Sequence, residues 1–136
     1  MKLILCLDDQ NGMLFNGRRL SRDQIVCDKI LALAAGNKLW MNSYSAKLFS
    51  NKPAAITIDE AFLDRADSDD FCFTENVHLD GYLERVSEII LFHWNRRYPA
   101  DSWFDLDLSQ KPWVLTHTES FPGKSHDEIT MEVYKR

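Results

Sequence analysis

Five glycines among 136 residues are too few to build a phosphate-cradling loop. Gly12, Gly17, Gly36, Gly81 and Gly123 stand singly, and no glycine-rich nucleotide motif can be drawn through them. Cysteine is equally sparse: Cys6, Cys27 and Cys72 are odd in number, lack paired spacing and each sit in an apolar run. That pattern excludes a disulfide framework and reads as buried free thiols in a reducing cytoplasm. No apolar stretch approaches the roughly 18 residues of a membrane span. Residues 3–7, ended by Asp8, are too short for the apolar part of a secretory leader. Positive charge is also short, and a net charge of -5 argues against a nucleic-acid partner. The local clusters Arg18, Arg19, Arg22 and Arg96, Arg97 read as solvated loop charge, with anion contact as the functional alternative. His78, His93, His117 and His126 have no metal-ligand spacing, and no Gly-x-Ser-x-Gly elbow marks a nucleophilic serine.

What is present reads as one α/β domain spanning residues 1–136. Residues 3–7 form an apolar run suited to a strand buried on both faces. Asn11-Gly12 and Asn16-Gly17 mark turns, because both residue types tolerate positive φ. Ser21 and Gln24 have capping-box spacing before a helix whose apolar positions Ile25, Ile30, Leu31 and Ala34 stop at Gly36. Further strands are expected over 38–41, 54–58, 71–73, 88–94, 113–117 and 129–134, with helices over 43–49, from 59 onward and over 79–86. Alternating strands and helices imply a three-layer domain, its central sheet mostly parallel with helices on both faces. The last two strands, with no helix between them, imply an antiparallel C-terminal edge.

The order of segments resembles the dihydrofolate reductase family. The residues carrying the likeness are the opening 1–8, Asn11 to Gly17, Leu20-Ser-Arg-Asp23, and the closing stretches 88–94, 98–104 and 128–135. The resemblance implies that a carboxylate at the start of the first helix binds a pterin and helps a proton reach it. Asp23 is the candidate catalytic acid, Asp28 competes one turn further on, and helix capping would explain Asp23 equally well. Leu5, Cys6, Cys27 and Phe92 complete the expected ligand cleft. Cys6 and Cys72 are expected near the carboxyl ends of adjacent strands, as core residues.

Against the family pattern, the cofactor side departs. Where relatives carry Met-Gly-Arg-x-Thr, this chain has Met41-Asn42-Ser43-Tyr44-Ser45. Thr74-Glu75-Asn76 fall where a Gly-Gly pair lets the backbone approach a diphosphate, and Tyr44 would plug the groove. Between residues 49 and 71 about one strand-helix unit is missing relative to the family. The sequence therefore points to a divergent protein of this fold with a degenerate NADPH site and no cofactor, binding a small planar, pterin-like ligand or a protein partner. The alternative is an active NADPH-dependent reductase of dihydrofolate or a related pterin. A third possibility is a subunit whose exposed aromatics, Trp103 foremost, meet a partner in an oligomer.

Overall fold

The computed structural model describes residues 1–49 and 55–136. Strand β1, Lys2–Leu7, lies at the centre because Leu3, Ile4, Leu5 and Leu7 are apolar on both of its faces and all fully buried. A tight hairpin follows, β2 (Gly12–Phe15) and β3 (Arg18–Arg19), turned at Asn16 (φ 53°) and Gly17 (φ 74°). Helix α1, Gln24–Leu33, then leads to β4, Leu39–Met41, and a short helix α2, Ser43–Ala46, continued as a 3₁₀ turn over Lys47–Phe49. Beyond these come β5 (Thr57–Ile58), α3 (Phe62–Arg65), β6 (Phe71–Phe73), β7 (Glu88–His93), β8 (Ser102–Trp103), β9 (Val114–Phe121) and β10 (Ile129–Lys135).

Seven strands form the main sheet in the order β5-β4-β6-β1-β7-β10-β9. The first five are mutually parallel, while β10 and β9 are antiparallel additions. A separate small sheet, β3-β2-β8, stands beside it. Strand alternation splits the core in two. Ile4, with Val26, Cys27 and Ile30 of α1 and Phe92 and Met131, fills one face. Leu3, Leu5 and Leu7 pack with Phe62 and Leu63 of α3, Phe104 and Trp113 on the other. The chain thus has the expected α/β architecture, with an antiparallel C-terminal edge.

Three expectations need correction. Asp23, not Ser21, caps α1: its backbone is extended (φ -152°, ψ 132°) and its side chain accepts from the Ile25 N–H. Residues 79–86 carry only a 3₁₀ turn, Leu83–Arg85, since Gly81 sits at φ 85° and breaks the helix. The helix expected from Asp59 begins at Phe62, because Asp59 accepts instead from the Ala61 N–H at 2.7 Å. Cys6 and Cys72 each lie one residue from the carboxyl end of the adjacent strands β1 and β6, as expected, and pack on opposite faces of the sheet. The strand expected over 54–58 falls partly outside the described residues; within them it spans Thr57–Ile58.

Candidate functional site

The carboxyl ends of the parallel strands are organised by two buried carboxylates and one ion pair. Asp8, directly after β1, accepts from the backbone N–H groups of Gln10, Gly12 and Tyr98 at 2.9, 2.6 and 3.0 Å. Although burial would raise its carboxyl, those three donors outweigh it and hold the group ionised at lower pH than usual. The anchored turn launches the β2–β3 hairpin, which carries Arg19 to the carboxyl end of β6.

Arg19 reaches Glu75, the second residue after β6. Its Nε and Nη2 donate to the two carboxylate oxygens at 2.8 and 2.9 Å, a bidentate pair. Ser45 Oγ adds a third bond to Glu75 at 2.7 Å, and the Tyr44 ring lies 4.4 Å beneath the guanidinium. The Arg19 N–H donates to Tyr44 Oη at 3.0 Å. Asn42 caps α2 by accepting from the Ser45 N–H at 3.0 Å and donates to Asn76 Oδ1 at 2.8 Å. Thr74 Oγ1 turns back to the Ile4 carbonyl at 3.3 Å. The structure therefore brings Tyr44, Ser45, Glu75 and Asn76 into one network with Arg19, while the Ser43 N–H donates outward to Glu60 at 2.8 Å. Arg19 belongs to the basic cluster read either as loop charge or as an anion contact; its partner proves to be the chain's own carboxylate.

Asp23 lies in a second network. One oxygen accepts from the Ile25 and Lys124 N–H groups at 2.9 and 3.0 Å. The other accepts from the Ser125 N–H at 2.8 Å, Ser125 Oγ at 3.1 Å and His126 Nδ1 at 2.9 Å. Its side chain is 0% exposed and that of His126 is 2% exposed. Burial alone would raise the Asp23 carboxyl, but the bonds from Lys124, His126, Ser125 and Ile25 outweigh it and hold it far below the usual carboxylate range. The loop carrying these donors passes so close that a Cβ on Gly123 would lie 2.6 Å from Asp23 Oδ2 and 2.8 Å from Ile129 Cδ1. Gly123→Ala should therefore destabilise the fold by about 1–3 kcal/mol, read as a thermal-melt decrease of several degrees.

The residues expected to line one ligand cleft do not all meet. Leu5 and Cys6 are neighbours on β1 and so face opposite layers. Phe92 is fully buried in the α1-side core, edge-on to Phe121. Asp23 and Cys27 do share a cleft of about 560 Å³ between α1 and the Lys47–Phe49 turn, whose rim carries Arg22, Lys47 and Lys124 with Gln24 and Leu48. Asp28 lies on α1 and accepts from the Gln24 side chain at 3.0 Å. A second cleft of about 430 Å³ opens between the hairpin and residues 75–83, lined by Met13, Leu79, Trp103 and Leu106. Trp103 pairs through β8 with β2 and remains 54% exposed.

The thiols are poor nucleophiles. Burial pushes Cys6 well up, assisted by the nearby Glu75 charge; Cys27 rises to about 11 and Cys72 to about 12, both mainly through burial. Among the described residues no His/Cys/Asp/Glu group is arranged to hold a metal ion, and no helix is long and apolar enough to cross a membrane.

No family model and no curated protein matches the sequence. Among solved structures, dihydrofolate reductase from Enterococcus faecalis, complexed with NADP(H) and RAB-propyl, superimposes with a TM-score of 0.73. Identity is 13%, and the match covers 99% of this chain and 95% of that one. The chain has a dihydrofolate-reductase-like fold.

Proposed function

We propose that this protein is a binding protein of dihydrofolate-reductase-like fold that holds a small, planar, anionic molecule of the pterin-carboxylate class and does not use NADPH. The observation that carries this reading is the bidentate Glu75–Arg19 pair, 2.8 and 2.9 Å, reinforced by Ser45 at 2.7 Å. Glu75 and Ser45 are among the residues that the family resemblance assigns to the cofactor phosphates. A dinucleotide there would have to displace a carboxylate already satisfied by three donors, and would meet its negative charge at close range. The residues present do not fit that group.

The cleft beside α1 suits an anion better. Arg22, Lys47 and Lys124 ring its rim, and its volume of about 560 Å³ lies within the usual range for small-molecule sites. Asp23 is committed to its five donors and is poorly placed to grip a pterin amino group, so the ligand's carboxylates would supply most of the recognition.

Thermal melts with dihydrofolate, methotrexate and NADPH, each alone, test the proposal. Near a hundred times the dissociation constant, a bound ligand adds about 2.7 kcal/mol and several degrees. We expect a rise with dihydrofolate or methotrexate, diminished in Lys47→Ala and Lys124→Ala. Silence with both pterins would overturn the ligand assignment, and a rise with NADPH would restore the reductase reading.

A further inference from the structure

The Asp23–His126 contact continues outward into a relay that the ligand reading does not use. His126 Nδ1 lies 2.9 Å from Asp23 Oδ2, and its Nε2 lies 3.0 Å from Ser21 Oγ. A carboxylate can only accept, so Nδ1 carries the proton, and in the neutral ring Nε2 is the bare nitrogen facing the serine. The imidazole is fixed by stacking on Trp94, with ring centroids 4.7 Å apart. Its carboxylate is buried and held by two loop N–H groups and the Ser125 hydroxyl. The array is also polarised in space: Asp23 and His126 are buried, whereas Ser21 and Tyr98 are only half-buried. Tyr98 Oη stands 3.2 Å from Ser21 Oγ and 3.2 Å from His126 Nε2, an O–H donor beside the nucleophile.

We propose that Ser21, His126 and Asp23 form a nucleophilic serine site that accepts the acyl group of a small carboxylic ester. Nucleophile, base and orienting carboxylate are recognised by mutual geometry rather than by a sequence elbow. Ser21 Oγ attacks the ester carbonyl while its proton passes to His126 Nε2. Tyr98 Oη, 3.2 Å from Ser21 Oγ, supplies a donor to the developing oxyanion. Collapse breaks the bond to the leaving alkoxide, which takes the proton from Nε2 and departs as the alcohol. Water repeats the sequence on the acyl-serine, releasing the acid and restoring Ser21. Asp23 acts through His126 as a positioning residue. The exposed cations Arg22, Lys124 and Arg96, the last donating to the Ser125 carbonyl at 3.4 Å, favour an ester bearing an anionic group. Ser21 and Tyr98 lie outside the lining of the cation-rimmed cleft, whereas Asp23, Arg22 and Lys124 belong to both sites, so an adduct on Ser21 and a ligand-induced melting shift report on the two proposals separately.

The test is labelling with a fluorophosphonate probe, read by intact mass and peptide mapping. One phosphonyl adduct is expected on Ser21, with the P–O bond formed, fluoride lost and the proton taken by His126. Ser21→Ala should abolish the adduct. His126→Gln, checked as folded by circular dichroism, should slow labelling by about 100-fold. Asp23→Asn, which can still cap α1, should slow labelling at least tenfold in protein of unchanged helical signal. Labelling absent from Ser21, spread over serines as in urea-denatured protein, or as fast in folded His126→Gln would overturn the proposal. If His126→Gln does not fold, p-nitrophenyl acetate with the wild-type protein decides. Acetyl on Ser21 supports the site, and acetyl confined to lysines overturns it.

Discussion

Asp23→Ala should lower the thermal midpoint by more than 10 °C, corresponding to about 4 kcal/mol or more. The loss has three sources. The α1 N-cap alone is worth about 1 kcal/mol. Two backbone N–H groups of the 123–126 loop lose their acceptor, and buried His126, 2% exposed, loses the partner of its Nδ1. Asn in place of Asp keeps the cap and should recover part of the loss. A fall of less than about 3 °C for the alanine variant would show that the loop is held mainly by other contacts.

The same carboxylate sets an acid limit. A group whose folded-state pKa is depressed contributes its stability above its unfolded value, near 4, and loses that contribution as pH falls toward the folded value. Asp23 is such a group, so stability should decline below about pH 4. Asp23→Asn should flatten that part of the urea-denaturation profile.

Glu75→Ala carries the second large effect, and its sign differs between stability and binding. Without the carboxylate, the Arg19 guanidinium keeps, among the described residues, a long 3.4 Å contact to the Tyr44 carbonyl and its stacking on that ring. Because the Arg19 side chain is 20% exposed and water can reach it, the cost should be about 2–3 kcal/mol, below that of a fully buried pair. The vacated guanidinium and Ser45 hydroxyl then form an anion site. Inorganic pyrophosphate should raise the melting temperature of Glu75→Ala and leave the wild type unmoved. An equal response in both would mean that Glu75 does not block the site. Replacing both Arg19 and Glu75 by Met should recover most of the lost stability, since neither charge is then stranded.

The fold was legible because the strongest sequence signals are the ones that packing amplifies. The run 3–7 suits a strand buried on both faces, and 129–134 alternates wet and dry as the antiparallel addition beside β7 must. The β2–β3 hairpin and β8 were missed because two- to four-residue strands have no periodicity to read; the two Asn-Gly turns were their only trace. The juxtaposition of residues 43–45 with 74–76 was legible, but its wiring was not. Residues 43–45 and 74–76 were marked from their departure from the family pattern, but Arg19 comes from the hairpin, and its reach to the carboxyl end of β6 is a tertiary fact. Likewise, nothing in the spacing joins Ser21 and Asp23 to His126, which lies more than a hundred residues further along. The loop that brings it back is fixed by Gly123's close approach to Asp23.

Titration calorimetry of NADPH into the wild-type protein tests the central claim most directly. The proposed occupation of the diphosphate positions by Glu75 predicts no saturable heat up to millimolar NADPH, while Glu75→Ala should gain weak binding. Saturable wild-type binding in the micromolar range or tighter would contradict the account and return the protein to NADPH-dependent chemistry.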